Sequence, residues 1–190
     1  MSPLLASASQ FAIWSQLIHA ITHTEDLNRI YDAALDALGA GLNVKRASIL
    51  LFDPDGVMRF RAWRGLSEEY RRAVEGHTPW KPDTPNPASI AAADVRRDAS
   101  LAPFLPTIER EGIGAMVFVP LASRDRVIGK FMLYYSAPHA PTADELQLAS
   151  VIAAQVAFAV ERTRAETQAR RSEERLRFAL RSRKQRAESR

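Results

Sequence analysis

Apolar residues recur at three- and four-residue steps over Phe11, Trp14, Leu17, Ile18 and Ile21, which predicts a helix from about Ser9 to Ile21. A second helical stripe follows in Leu27, Ile30, Tyr31, Ala34, Leu35 and Leu38. Thr24 is its expected cap, Glu25 and Asp26 suit its positive end, and Gly39 and Gly41 are its expected stops. The texture then changes to period two. ASILLF is a short apolar run, DPDG a turn, and VMRFRAW sets Val57, Arg59 and Arg61 against Met58, Phe60 and Ala62, so a hairpin spans about Ala47 to Trp63.

SEEYRRAVEG reads as a short helix capped by Ser67 with Glu68 and Glu69 in its first turn. HTPWKPDTPNPAS carries four prolines and reads as a loop. ASIAAADV predicts a strand, and LAPFLPTIEREGI a loop with a short helix. GAMVFVPLA and RVIGKFMLYY predict two central strands joined by the turn SRD. PTADELQLASVIAAQVAFAVERTRAE predicts a long helix with Pro141 at its mouth and Thr142 as cap. Leu146, Ile152, Val156 and Val160 line one side of it. Strands joined by tight turns and covered by helices imply an α+β fold with mostly antiparallel pairing.

Composition narrows the chemistry. The chain has 190 residues, 46% of them hydrophobic, enough for one core plus an appendage, and it has no cysteine. That removes disulfides, thiolate metal sites and a thiol nucleophile. No uninterrupted apolar run reaches the roughly 18 residues that a spanning helix needs, and no basic region precedes the first apolar residues. A cytoplasmic location is therefore expected. The net charge of +4 is uneven, since residues 161–190 hold 11 Lys and Arg against 5 Glu, which leaves 15 basic and 17 acidic groups before them. The basic character belongs to the tail, so the body gains no case for nucleic-acid binding.

The order of elements, with GIGAMVFVPLASRDRVIGKFMLYY followed by TADELQLASVIAAQVAFAVERTRAE, resembles the GAF domain, a small-molecule-sensing and dimerising module of signalling proteins. The likeness spans roughly Asp26 to Arg164, and WRGLSEEYRRAVEGHTPW looks like the version that precedes the kinase region in bacterial sensor histidine kinases. It implies a GAF-like (profilin-like) antiparallel sheet flanked by helices. It divides the chain into an N-terminal dimerisation helix (1–24), a GAF domain (25–164) and a basic helical linker (165–190). The SEERLRFAL of that linker resembles the opening helix of a PAS domain. No phosphoacceptor context surrounds His19, His23, His77 or His139, and no glycine-rich phosphate loop is visible. The expectation is a non-enzyme, either a stand-alone sensor or a fragment of a kinase.

The resemblance also ranks ligands. The Asn-Lys signature of cyclic-nucleotide-binding GAF domains is absent, covalent bilin attachment lacks its cysteine, and so does the methionine sulfoxide reductase chemistry known on this fold. A non-covalent haem would need His77 or His139, and nothing else in the sequence points to one. His19 and His23, four apart at a helix end, read as solvated rather than as metal ligands, and no G-x-S-x-G elbow suggests nucleophilic catalysis. In the family's fold the RGLSEEYRRAVEGHTPW helix and loop roof the sheet. Trp63, Tyr70 and Trp80 are thus candidate aromatic walls of a pocket, with Arg64 and His77 as polar anchors. The same residues fit plain packing, with both tryptophans in the core and His77 capping a turn.

Two functional expectations follow. One is a sensory module that forms a homodimer through its N- and C-terminal helices, using Phe11, Trp14, Val156 and Val160, and relays a ligand or partner state to a kinase or response regulator. The other is a ligand-free dimerisation scaffold whose basic tail binds an acidic partner or nucleic acid. In the tail, Glu166 is placed to pair with Arg170 and Glu173 with Arg177.

Overall fold

A computed structural model describes the backbone of residues 3–82, 84–124 and 126–188, and side chains within 12–178 other than those of 83, 125 and 176. Helices α1 (Pro3–His23) and α2 (Leu27–Leu42) lead into a hairpin of β1 (Arg46–Phe52) and β2 (Met58–Arg64). Then come α3 (Glu68–Val74), the short strand β3 (Ile90–Ala92), a 3₁₀ turn (Ala99–Phe104) and α4 (Leu105–Arg110). The chain closes with β4 (Ala115–Ser123), β5 (Arg126–Tyr135) and α5 (Ala143–Glu188). Among the described residues the five strands form one antiparallel sheet in the order β2-β1-β5-β4-β3.

Period-two alternation divides the sheet between two cores. Ile49 and Leu51, Val117, Val119 and Leu121, and Phe131 and Leu133 meet α1, α2 and α5 on one face. Leu50, Met116, Phe118, Met132 and Tyr134 face α3, α4 and the loops on the other. VPLAS and GKFMLYY are neighbouring strands, with Val119 opposite Phe131 and Leu121 opposite Gly129.

Local signals account for most boundaries. Ser67 caps α3, its hydroxyl accepting from the Tyr70 amide. Thr142 and Glu145 form a reciprocal capping box on α5: the Glu145 amide donates to Thr142 Oγ1 at 3.2 Å and the Thr142 amide to Glu145 Oε2 at 2.7 Å. Other signals were overridden. The cap of α2 is Asp26, whose carboxylate accepts from the Asn28 amide. The helix also runs through Gly39 and Gly41 and ends at Asn43, in the left-handed region at φ 52°. A Cβ on Gly41 would lie 2.8 Å from Leu148, so this glycine serves the close approach of α2 and α5 rather than a stop.

Val156 and Val160, expected at a dimer face, are fully buried in the helical core of a single chain. Trp14 packs against the same core, and the Phe11 side chain lies outside the described residues. Among the described residues, the large hydrophobics exposed on these helices are instead Ile18, Val151 and Phe158, with Phe178 farther along. The N-terminal helix belongs to the body, since Leu17 and Ile21 are core. By length and composition α5 is apolar enough to cross a membrane, which the run-length argument did not foresee. Its apolar stripe of Ala149, Ile152, Ala153, Val156, Ala157 and Val160 is nonetheless taken up by the core. Arg170 pairs with Glu25 rather than with Glu166, which reaches Arg162, and Arg162 also donates to the Thr24 carbonyl at 3.0 Å.

Gly129 is the position where the sheet tolerates no side chain. A Cβ there would stand 2.3 Å from the Leu50 carbonyl oxygen and 2.5 Å from Leu51. Gly129→Ala should therefore cost about 3 kcal/mol through forced strand displacement, read as a lowered urea midpoint. Gly41→Ala should change stability by less than about 1 kcal/mol, because a flexible leucine tip can yield and alanine favours the helix.

Candidate functional site

The sheet face opposite the long helix carries a small, partly open cavity. Strands supply its floor through Leu50, Phe60, Met116, Phe118, Lys130, Met132 and Tyr134, and Tyr70, Val74 and His77 roof it with Leu101, Phe104 and Ile108. The roof is tied across its two helical pieces. Glu111, just after α4, accepts from the Ser67 amide at 2.7 Å and from its hydroxyl at 2.6 Å, where α3 begins. The space amounts to about 20 Å³, room for about one water molecule. Phe60, Val74, His77 and Phe104 are only half buried and form its rim. The His77 and Phe104 rings lie 4.3 Å apart there.

Lys130 is the charged group of this lining, and it is 3% exposed. Its Nζ donates to the His77 carbonyl at 2.7 Å and lies 5.3 Å from the centre of the Phe118 ring. No carboxylate shares the lining. Burial without a counter-charge disfavours the ammonium and holds the Lys130 pKa down to about 7. His77 is pushed below its ordinary value, first by its own burial and then by Lys130. Tyr134 and Tyr70 are both pushed up by burial. The Tyr134 hydroxyl lies 3.0 Å from Ser48 Oγ, and the two phenol rings meet edge to face at 5.8 Å. The cavity thus presents one cation, one imidazole and two neutral phenols on apolar walls.

The five residues singled out from sequence separate. Tyr70 and His77 line the cavity. Trp80 is buried in the same core but is not part of the lining. Trp63 stands at the edge of β2, 37% exposed, with the Arg71 guanidinium 3.8 Å over its ring. Arg64 is no anchor for a ligand there: it reaches α2, pairing with Asp32 at 2.9 Å and Asp36 at 3.4 Å. His77 contributes its carbonyl and a ring tilted against Phe104 rather than a turn cap. Lys130 was missed, though its signal was in RVIGKFMLYY, where alternation puts Lys130 on the face of Met132 and Tyr134. His139 is elsewhere, stacked on Tyr135 and within 3.1 Å of Glu145. His19 and His23 do share a helix face, their rings 4.3 Å apart, yet among the described residues no group of three or more metal-ligating side chains occurs.

Residues 26–160 match the family model for the GAF domain. The chain belongs to the GAF family. It is 46% identical to a domain of a two-component sensor histidine kinase protein from Sinorhizobium meliloti 1021, over 74% of this chain and 94% of that one, with a TM-score of 0.69. Two more distant structures share the fold. One is a GAF domain from a phosphoenolpyruvate-protein phosphotransferase of Coxiella burnetii, at 15% identity, 84% and 96% coverage and TM-score 0.66. The other is the PixJ GAF domain of Thermosynechococcus elongatus, at 18% identity, 77% and 92% coverage and TM-score 0.63. Among curated proteins the chain has no match.

Lys130→Met should make this GAF domain more stable by about 1–2 kcal/mol at pH 7, since it removes a buried unpaired charge and fits beside Met116 and Met132. The sign with pH is set by the unfolded lysine, which titrates near 10.5 against about 7 in the fold. Between these values the unfolded parent binds more protons, so parent stability climbs with pH and the advantage of the variant shrinks. Tyr70, His77 and Tyr134 are common to both proteins and cancel to first order. Denaturant unfolding at pH 7.0 and 9.5 reads the difference, and an advantage constant across that range would contradict a depressed lysine.

Proposed function

We propose that this GAF domain is a cytoplasmic sensory module of bacterial signal transduction, of the two-component type. It binds a small ligand in the cavity beneath α3 and α4 and passes the bound state along α5 to a kinase or response regulator. The observation that carries the reading is the composition of the lining: apolar walls with a few converging polar groups are how small-ligand sites are built. Its 46% identity to a domain of a two-component sensor histidine kinase protein supports the signalling context.

The relay has a material route. β4 and β5 carry cavity residues on one face and α5 contacts on the other. A 46-residue helix extends about 70 Å at 1.5 Å per residue, well past the body. A ligand shifts such a helix only if its affinity differs between two arrangements.

A second copy of the chain completes the module. Val151 and Phe158 stand seven residues apart on α5 and are 46% and 62% exposed, while Ile18 on α1 is 60% exposed. Burying them against a partner removes apolar surface that a monomer leaves in water. Phe158→Glu should convert a dimer to a folded monomer by light scattering, with thermal stability nearly unchanged, whereas Val156→Glu should unfold the protein.

Ligand binding is tested by thermal melts against nucleotides, amino acids, haem, bilins and small organic acids. Stabilisation that grows with concentration is expected for at least one class. A flat response throughout, together with salt-sensitive DNA binding by the tail, would favour a ligand-free scaffold.

A further inference from the structure

We propose that Lys130 is a ligand-operated latch. Beneath the roof its ammonium holds the His77 carbonyl, and a small apolar monocarboxylic acid takes that ammonium for its own carboxylate, releasing the His77 segment. The inference rests on the cavity being the ligand site, and it names the ligand class and the first movement.

The class follows from what the lining offers. Lys130 supplies one positive charge with three N–H donors, of which the described residues engage one, at 2.7 Å, with a neutral carbonyl. No acidic side chain among the lining residues competes for it. A carboxylate brings a full charge and paired lone pairs, and charge-assisted hydrogen bonds are about twice as strong as those to neutral acceptors. One negative charge neutralises the site; a dianion such as phosphate would leave a net charge among Leu50, Met116, Phe118 and Met132. The rest of the ligand must be apolar to match those walls.

The movement follows from size. A cavity of about 20 Å³ admits little more than a water, so an organic acid must displace part of the roof. The His77–Phe104 ring pair is half buried and sits at the rim, which makes it the place of entry. Gly76, at φ 82°, has its amide held by the Met58 carbonyl at 2.9 Å and supplies a fixed pivot immediately before His77. Beyond the pivot, residues 77–80 belong to no helix or ladder, and the Lys130 bond fastens their start to the sheet. A carboxylate that takes Lys130 removes that fastening, and a neutral ligand does not compete for it.

The test uses the full chain at pH 6.5 with benzoate, phenylacetate and hexanoate, each paired with its primary amide, and with inorganic phosphate. Calorimetry should give each acid at least tenfold tighter binding than its amide, with phosphate weaker than the acids. Lys130→Met should reduce acid binding to the amide level while leaving the amides unchanged. Hydrogen exchange at the His77, Thr78 and Trp80 amides should accelerate severalfold when an acid binds the parent, be fast already in Lys130→Met, and not respond to acid there. Equal affinity for acids and amides overturns the latch but leaves a ligand cavity in place. Phosphate binding as tight as the acids overturns the monocarboxylate class. Silence from acids and amides alike overturns the latch, and silence across the wider ligand panel as well removes the sensory reading beneath it. The acid–amide comparison in the parent decides the matter even if the variant fails to fold.

Discussion

Side-chain alternation along β5 is the constraint that holds the two halves of this domain in register. Phe131 and Leu133 enter the helical core, while Lys130, Met132 and Tyr134 enter the cavity side. A slip of one residue against β1 or β4 would exchange the two sets and put an ammonium into the contact with α1, α2 and α5. Gly129 guards the register sterically, since it pairs with Leu51 and Leu121 where the neighbouring backbone leaves no room for a Cβ. The glycine and the lysine beside it belong to one device: the first lets β1 close on β5, and the closure buries the second.

That burial makes the lysine chemically informative. Isolated ammonium groups are rarely enclosed, because water solvates them better than apolar side chains do. Here the Phe118 ring face and one backbone carbonyl are what the described residues offer in compensation. Surface pairs such as Arg64 with Asp32 and Asp36 stay in high dielectric and contribute little each. The buried, underpaired charge is the group on which the proposed ligand would act.

Most of the fold was legible because period-two and helical stripes are written in consecutive residues. The hairpin, the capped α3, the β4–β5 pair and the start of α5 all follow from local pattern. The site was legible only in part. Tyr70 and His77 come from the stretch that roofs the cavity, yet Arg64 and Trp63 sit just before a chain reversal at Gly65, φ 66°. Arg64 then turns toward α2, whose acidic pair lies some thirty residues earlier in sequence. Which face a strand residue takes near a bulge depends on the partner strand, and β1 against β2 shifts register between Ile49 and Leu50. Val156 and Val160 proved to be core for a related reason: they share a stripe with Ile152, and pattern alone does not say whether that stripe meets the chain's own sheet or another molecule.

Coupling between cavity and helix then becomes a question of stiffness. The cavity floor and the seat of α5 are opposite faces of the same strands, separated by one layer of backbone. Close-packed interiors transmit displacement instead of absorbing it, so a roof that rises while the floor stays fixed alters only the loops, and a floor that flexes must tilt α5. The Glu111–Ser67 tie joins α3 to the end of α4, and Arg46 donates to the Gly112 carbonyl at 2.9 Å, fastening that end to the first residue of β1. The roof is therefore held to the sheet at the α4 end by Arg46, and at the other end by the Gly76–Met58 and Lys130–His77 bonds. In the proposed relay, movement that begins when Lys130 lets go of His77 is levered about the α4 tie onto β1, the strand paired with β5, and from there toward the helix that leaves the domain.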